Sequence, residues 1–118
     1  MDKFRPESFL PLTPVAFEIL LALADGERHG YSILQEVESR SGGAVSLHAG
    51  TLYRALARLL ESDLISELDE SPDPSSGDER RRYYRLTTRG IAVARAEVGR
   101  LEGQLTAARS RRLLRARP

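Results

Sequence analysis

Arg54 and Arg58 lie four residues apart, so on a helix they project from one face, a turn from each other. Two guanidiniums at that spacing can fork onto guanine edges or onto phosphates, because each holds its donors in a fixed plane. Gly50 and Thr51 stand one turn earlier. A glycine at a helix start lets backbone amides approach an anion closely. A threonine hydroxyl can donate to a phosphate or touch a thymine methyl. Tyr53 falls at the edge of the same face, where its hydroxyl can reach a phosphate. His48 precedes the turn and can face the same anion. Farther on, Arg80, Arg81 and Arg82 form a run of cations able to follow a phosphate backbone. Each of these residues alone is also what a solvated helix or strand carries. Together they describe a surface for reading duplex DNA.

Other chemistries find little support. The chain of 118 residues has no cysteine, which removes disulfides, thiol catalysis and cysteine-zinc sites. His29 and His48 are the only histidines, and no further ligands stand at metal spacing, so no metal or other cofactor is expected. No glycine-rich phosphate loop or Ser/His/Asp arrangement is evident, and no enzyme is expected. The pairs Glu36/Glu38 and Asp69/Glu70 read as solvated acids. The apolar run 19–24 is too short to span a bilayer and nothing resembles a signal peptide, so a cytoplasmic protein without a membrane partner is expected. The net charge of +1 conceals an asymmetry. Residues 1–79 carry six Lys and Arg against fifteen Asp and Glu, while residues 80–118 carry twelve Arg against two Glu. The basic half fits a polyanion or an acidic protein surface.

The elements that must hold the reading surface follow from punctuation and period. Thr13 can cap a helix whose first position is Pro14; Ile19, Leu20 and Leu23 form its buried stripe, and Asp25-Gly26 ends it. A second helix starts near His29-Gly30 and stops at Ser41-Gly42-Gly43, with Ile33, Leu34 and Val37 inward. A third runs from Ala49 to Leu60, with Leu52, Leu56 and Leu59 opposite the arginines. Leu64–Asp69 reads as a strand, Ser71–Glu79 as a loop and Arg80–Thr87 as a second strand, which makes a β-hairpin. A last helix begins after Thr88 and extends toward Arg115. In it Ile91, Ala94, Val98, Leu101, Leu105 and Ala108 step by alternating threes and fours, the seam of a helix that leans on a partner. The expected fold is mainly α with a small β-hairpin: a winged helix-turn-helix over residues 1–87, then a dimerisation helix and basic tail over 88–118.

The residues also resemble the PadR-type transcriptional regulators. The likeness is carried by LLALADGERHGYSILQEVE (Leu20–Glu38), AGTLYRALARLLESDLI (Ala49–Ile65) and RRRYYRLTTRG (Arg80–Gly90). It extends from Leu10 to about Ala108, and the order and spacing of HGY, GTLY and YYRLT make it specific. The resemblance implies a winged-helix domain, a C-terminal dimerisation helix and transcriptional repression. It maps the family's DNA-contacting region onto Tyr31, onto Gly50, Thr51 and Tyr53, and onto the basic start of the second wing strand. Relatives often carry proline just before GTLY, where this chain has His48-Ala49, so its third helix starts less rigidly. Some members sense aromatic compounds through stacked tryptophan. This chain has no Trp, and an effector of unnamed chemistry is among the partners the resemblance allows. Phe4, Phe9 and Phe17 are expected in core or interface packing.

The expected function is therefore a homodimeric, sequence-specific repressor on a pseudo-palindromic operator in double-stranded DNA. The rival expectation is a winged-helix module that binds protein, which the acidic N-terminal half and loop would suit.

Overall fold

The computed structural model describes residues 3–68 and 82–115. Four helices surround a small antiparallel sheet: α1 (Pro14–Ala24), β1 (Arg28–His29), α2 (Gly30–Arg40), α3 (Ala49–Glu61), β2 (Ile65–Leu68), β3 (Tyr83–Leu86) and α4 (Thr88–Ser110). A single 3-10 turn at Pro6–Phe9 precedes α1.

The helix boundaries fall where local chemistry puts them. Thr13 Oγ1 accepts from the Ala16 amide at 3.1 Å and Pro14 occupies the first turn, so α1 starts with one amide satisfied and one removed. His29 plays the same part for α2, its Nδ1 accepting from Ser32 N at 3.1 Å. Gly42 and Gly43 take positive φ of 64° and 87°, and the Gly43 amide closes on Glu38 O, which stops α2. His48 is the N-cap of α3 but makes no side-chain cap bond. Ile19, Leu20 and Leu23 from α1, Ile33 and Val37 from α2 and Leu52, Leu56 and Leu59 from α3 meet in one buried core, as their spacing predicts.

The sheet differs from a simple hairpin. It has three strands in the order β1-β3-β2, with Arg28 opposite Tyr84, His29 opposite Tyr83, and Ile65 through Leu68 opposite Leu86 through Tyr83. β1 is two residues long, too short to show any period, and its last residue doubles as the cap of α2. Both hairpin strands are shorter than their sequence pattern suggests. Arg80, Arg81 and the 71–79 loop lie outside the described residues.

α4 is 23 residues long, about 34 Å. Its inward stripe is Gly90, Val93 and Glu97, all buried. None of the three belongs to the expected seam. Val93 joins the core, and Glu97, 2% exposed, holds the N-terminal arm. Glu97 Oε2 accepts from the Leu12 amide at 2.9 Å and Oε1 from Arg100 Nε. The Arg100 hydrogen bond, reinforced by the Leu12 amide and opposed by burial, holds this carboxyl below the usual range. Phe4 and Phe9 lie 5.9 Å apart on the arm, and the Arg89 guanidinium of the same chain's α4 sits 4.7 Å over the Phe4 ring. These two phenylalanines therefore pack within their own chain.

Candidate nucleic-acid interface

α3 puts its leucines in the core and turns the opposite side to solvent. Its N-terminus is open: His48, Ala49 and Gly50 are exposed, and a Cβ placed on Gly50 would meet nothing within 4 Å. The first amides of α3 have no side-chain cap, which leaves donors and the positive end of the helix dipole facing outward.

Arg54 and Arg58 are exposed on this side, and no carboxylate among the described residues pairs with either. Around α1 and α2 the cations are matched. Arg40 bonds Glu18 at 2.6 Å and approaches Glu36 at 3.7 Å. Arg28 donates to Ala22 O at 2.7 Å and to Ser32 Oγ at 3.0 Å, and stands 3.7 Å from Glu36. The α1–α2 surface is thus neutralised internally, while the α3 surface keeps its positive charge. Thr51, Arg54 and Arg58 also line one wall of a cleft of about 410 Å³, whose other wall is the arm and the start of α1.

Tyr31 and Tyr53 are the other exposed groups here, 59% and 53% accessible. Tyr53 reaches back to Gly30, the residue before Tyr31. A Cβ on Gly30 would fall 2.7 Å from the Tyr53 hydroxyl and 3.1 Å from Cζ, so the Tyr53 ring lies directly over Gly30. The signal available in the sequence was a glycine inside a helix start that already had its cap in His29.

The described arginines of the wing, Arg82 and Arg85, both have partners. Arg82 is exposed but pairs with Glu67 across the sheet at 3.2 Å, and Arg85 donates to Ser66 Oγ at 3.2 Å. Tyr84 is buried at the centre, where desolvation, then the charge of Glu67, raises its phenol pKa. Among the described residues no group of three His, Cys, Asp or Glu could hold a metal ion, and no helix is long and apolar enough to cross a membrane.

The model of the transcriptional regulator PadR-like family matches residues 19–96, which include all of α2, α3 and the sheet. The chain belongs to the PadR-like family. It is similar to a PadR family transcription regulator of Clostridium difficile, with 26% identity and a TM-score of 0.70 over 83% of this chain and 97% of that one. It is 34% identical over 74 residues to protein X of Lysinibacillus sphaericus, covering 63% of this chain and 65% of that protein. It is 38% identical over 90 residues to a 37.1 kDa protein of a Streptomyces fradiae transposon, covering 74% of this chain and 24% of that one. The chain therefore spans 65% and 24% of the curated relatives it matches. PadR-like proteins are transcription regulators rather than enzymes, and the four-helix, three-stranded winged-helix fold seen here is theirs.

Proposed function

We propose that the protein is a homodimeric repressor that places α3 of each chain in the major groove of a pseudo-palindromic operator. The observation that carries this reading is the unpaired Arg54/Arg58 face beside an open helix start, whereas Arg28 and Arg40 around α1 and α2 are matched by acids. Gly50 and the α3 amides approach a phosphate, Thr51, His48, Tyr31 and Tyr53 position the helix on the backbone, and Arg54 and Arg58 read bases. Arg82 reaches a flanking phosphate once it exchanges Glu67 for it, with Arg80 and Arg81 beside it in sequence.

Dimerisation runs through the seam on α4. Ile91, Val98 and Leu105 are large apolar side chains left 39%, 41% and 45% exposed, and Ala94, Leu101 and Ala108 complete the stripe. Ile91, Ala94 and Val98 also line a largely apolar groove of about 650 Å³ with the end of α1 and with Leu86 of β3. A second copy's α4 covers this surface. Two recognition helices then meet half-sites about 10 bp apart, or a multiple of that.

The test is a band-shift titration against the DNA upstream of the protein's own operon, repeated over a range of salt. A retarded complex whose affinity falls steeply with salt is expected. Arg54→Ala with Arg58→Ala should cost about 1–3 kcal/mol for each arginine–guanine pair that the substitutions remove. No retardation at low salt overturns the reading.

A further inference from the structure

We propose that His29 is a positioning residue for DNA binding that works only while its ring is neutral, so that a proton on the ring loosens the start of α2 and weakens operator affinity. The imidazole caps α2 with the one kind of atom that a proton removes. Its Nδ1 accepts from the Ser32 amide at 3.1 Å. A neutral imidazole has one nitrogen able to accept, whereas in the imidazolium both nitrogens are donors. The protonated ring therefore cannot hold the Ser32 amide. It is also a second cation at the positive end of a helix, where Arg28 Nη1 already bonds Ser32 Oγ at 3.0 Å. Thr13 and Thr87 cap α1 and α4 with hydroxyls, so among the described helices only α2 has a cap of this kind.

What the cap holds is a pair of tyrosines. Gly30 follows His29 directly, and a Cβ there would meet the Tyr53 hydroxyl at 2.7 Å, so the Tyr53 ring rests on the first turn of α2. Tyr31, exposed, is the next residue of that turn. On its other side the imidazole meets the wing: His29 lies opposite Tyr83 in the sheet, with ring centroids 5.4 Å apart and planes at 89°. Losing the cap frees the turn that seats both tyrosines, while β3 keeps its pairing with β2. The consequence for DNA rests on the reading that Tyr31 and Tyr53 contact the phosphate backbone.

The charged groups on the elements packed around the ring, among the described residues, are paired. Arg28 on its own strand stands 3.7 Å from Glu36 of α2, and Arg82 beside β3 pairs with Glu67 of β2 at 3.2 Å. The other titratable groups there are the phenols of Tyr83 and Tyr84 on β3 and of Tyr53 on α3. Histidine is the side chain whose charge ordinarily changes between about pH 5 and 8, and His29 and His48 are the only two in the chain. His48 acts with the opposite sign. It is exposed at the uncapped start of α3, where a proton adds a charge that attracts phosphate.

The test follows the full chain carrying His48→Gln, in which His29 is the one imidazole, from about pH 8 to about pH 5. By NMR the Ser32 amide should titrate with the His29 ring and end where it lies in His29→Ala, while circular dichroism keeps its helix signal. Fluorescence anisotropy on the upstream DNA fragment that gives the band shift should show affinity falling about fivefold or more on acidification, the scale of one hydrogen bond. His29→Asn on that background supplies a capping acceptor that takes no proton in this range, so its affinity should not change with pH. His29→Ala should bind weakly at every pH. A Ser32 amide indifferent to the ring overturns the proposal. So does affinity indifferent to pH in His48→Gln, an acid loss that survives in His29→Asn, or Asn and Ala variants that behave alike. If the Asn variant fails to fold, the titrations of His48→Gln decide. A chain that binds the fragment at no pH refutes the DNA reading instead, and the Ser32 amide then judges the cap alone.

Discussion

Two glycines at helix starts carry opposite consequences. Gly30 is empty-sided because a tyrosine ring needs the space: the atom nearest its missing Cβ is the Tyr53 hydroxyl at 2.7 Å. A tyrosine tip can swing away, so Gly30→Ala should leave the fold intact and displace the ring. If Tyr53 holds a phosphate, operator affinity falls by about 1 kcal/mol, the scale of one hydrogen bond. The same change made on a Tyr53→Ala background should cost nothing further. Fluorescence anisotropy on the four proteins measures this, and additive losses would show that Gly30 does not act through Tyr53. Gly90 is different. A Cβ there would lie 1.9 Å from the Leu64 carbonyl oxygen, and that same carbonyl accepts from the Thr87 amide at 3.1 Å. Thr87 Oγ1 in turn accepts from Gly90 N at 3.0 Å. A backbone atom held in this way cannot yield. Gly90→Ala should therefore destabilise the chain by about 3 kcal/mol or more, read from the midpoint of a urea transition.

At the scale of elements, the N-terminal arm depends on α4 through one carboxylate. Glu97 is buried where the arm crosses α4, and there it satisfies the Leu12 amide and pairs with Arg100. Glu97→Ala would strand that amide, at a cost of about 1–3 kcal/mol. The pH dependence has a definite sign. The folded carboxyl gives up its proton more readily than the unfolded one. Its contribution is therefore complete above the ordinary carboxylate range and is lost as pH falls through the lowered folded value. Denaturation of the parent and of Glu97→Gln across acid pH should show the stability gap closing on acidification; a constant gap would mean that the charge is not what matters. Glu97 also marks the limit of what the sequence makes legible. The spans of α1 to α3, the Thr13 cap and the core leucines were readable, because Thr13-Pro14, the Gly42-Gly43 stop and the leucine period act locally, whereas α4 ends at Ser110, short of the Arg115 that the sequence suggested. The 3-10 turn, β1 and the role of Glu97 were not, since each exists through contacts distant in sequence, 85 residues in the case of Leu12 and Glu97. A glutamate in an Arg-rich helix looks solvated until the arm is laid across it. The candidate site was legible in its types and spacing, from Gly50 to Arg58. What the sequence hid there was which arginines are spent on acids, as Arg82 is on Glu67.

For the whole molecule, the long helix has one side packed on its own domain and one side open. Gly90, Val93 and Glu97 bind it to its own domain, while Ile91, Val98 and Leu105 lie on a side with no cover. Residues 102–106 are exposed throughout, and nothing lies within 4 Å of a Cβ placed on Gly99 or Gly103, so a second helix could approach closely. Completing the burial of a Leu, Ile or Val that is now partly exposed gains some fraction of about 1.5–3 kcal/mol, and a symmetric pair repeats each gain. Val98→Asp with Leu105→Asp should therefore remove dimerisation while leaving the domain folded, because neither side chain belongs to the core. Sedimentation equilibrium should give a monomer mass and circular dichroism an unchanged helix content. Operator affinity should fall far more than either substitution could cause by touching DNA, since both positions are on α4, away from the α3 face, and the second half-site loses its tether. A variant that remains dimeric would move the interface off this seam. A variant that becomes monomeric yet binds the operator as tightly as the parent would show that each domain reads its site alone.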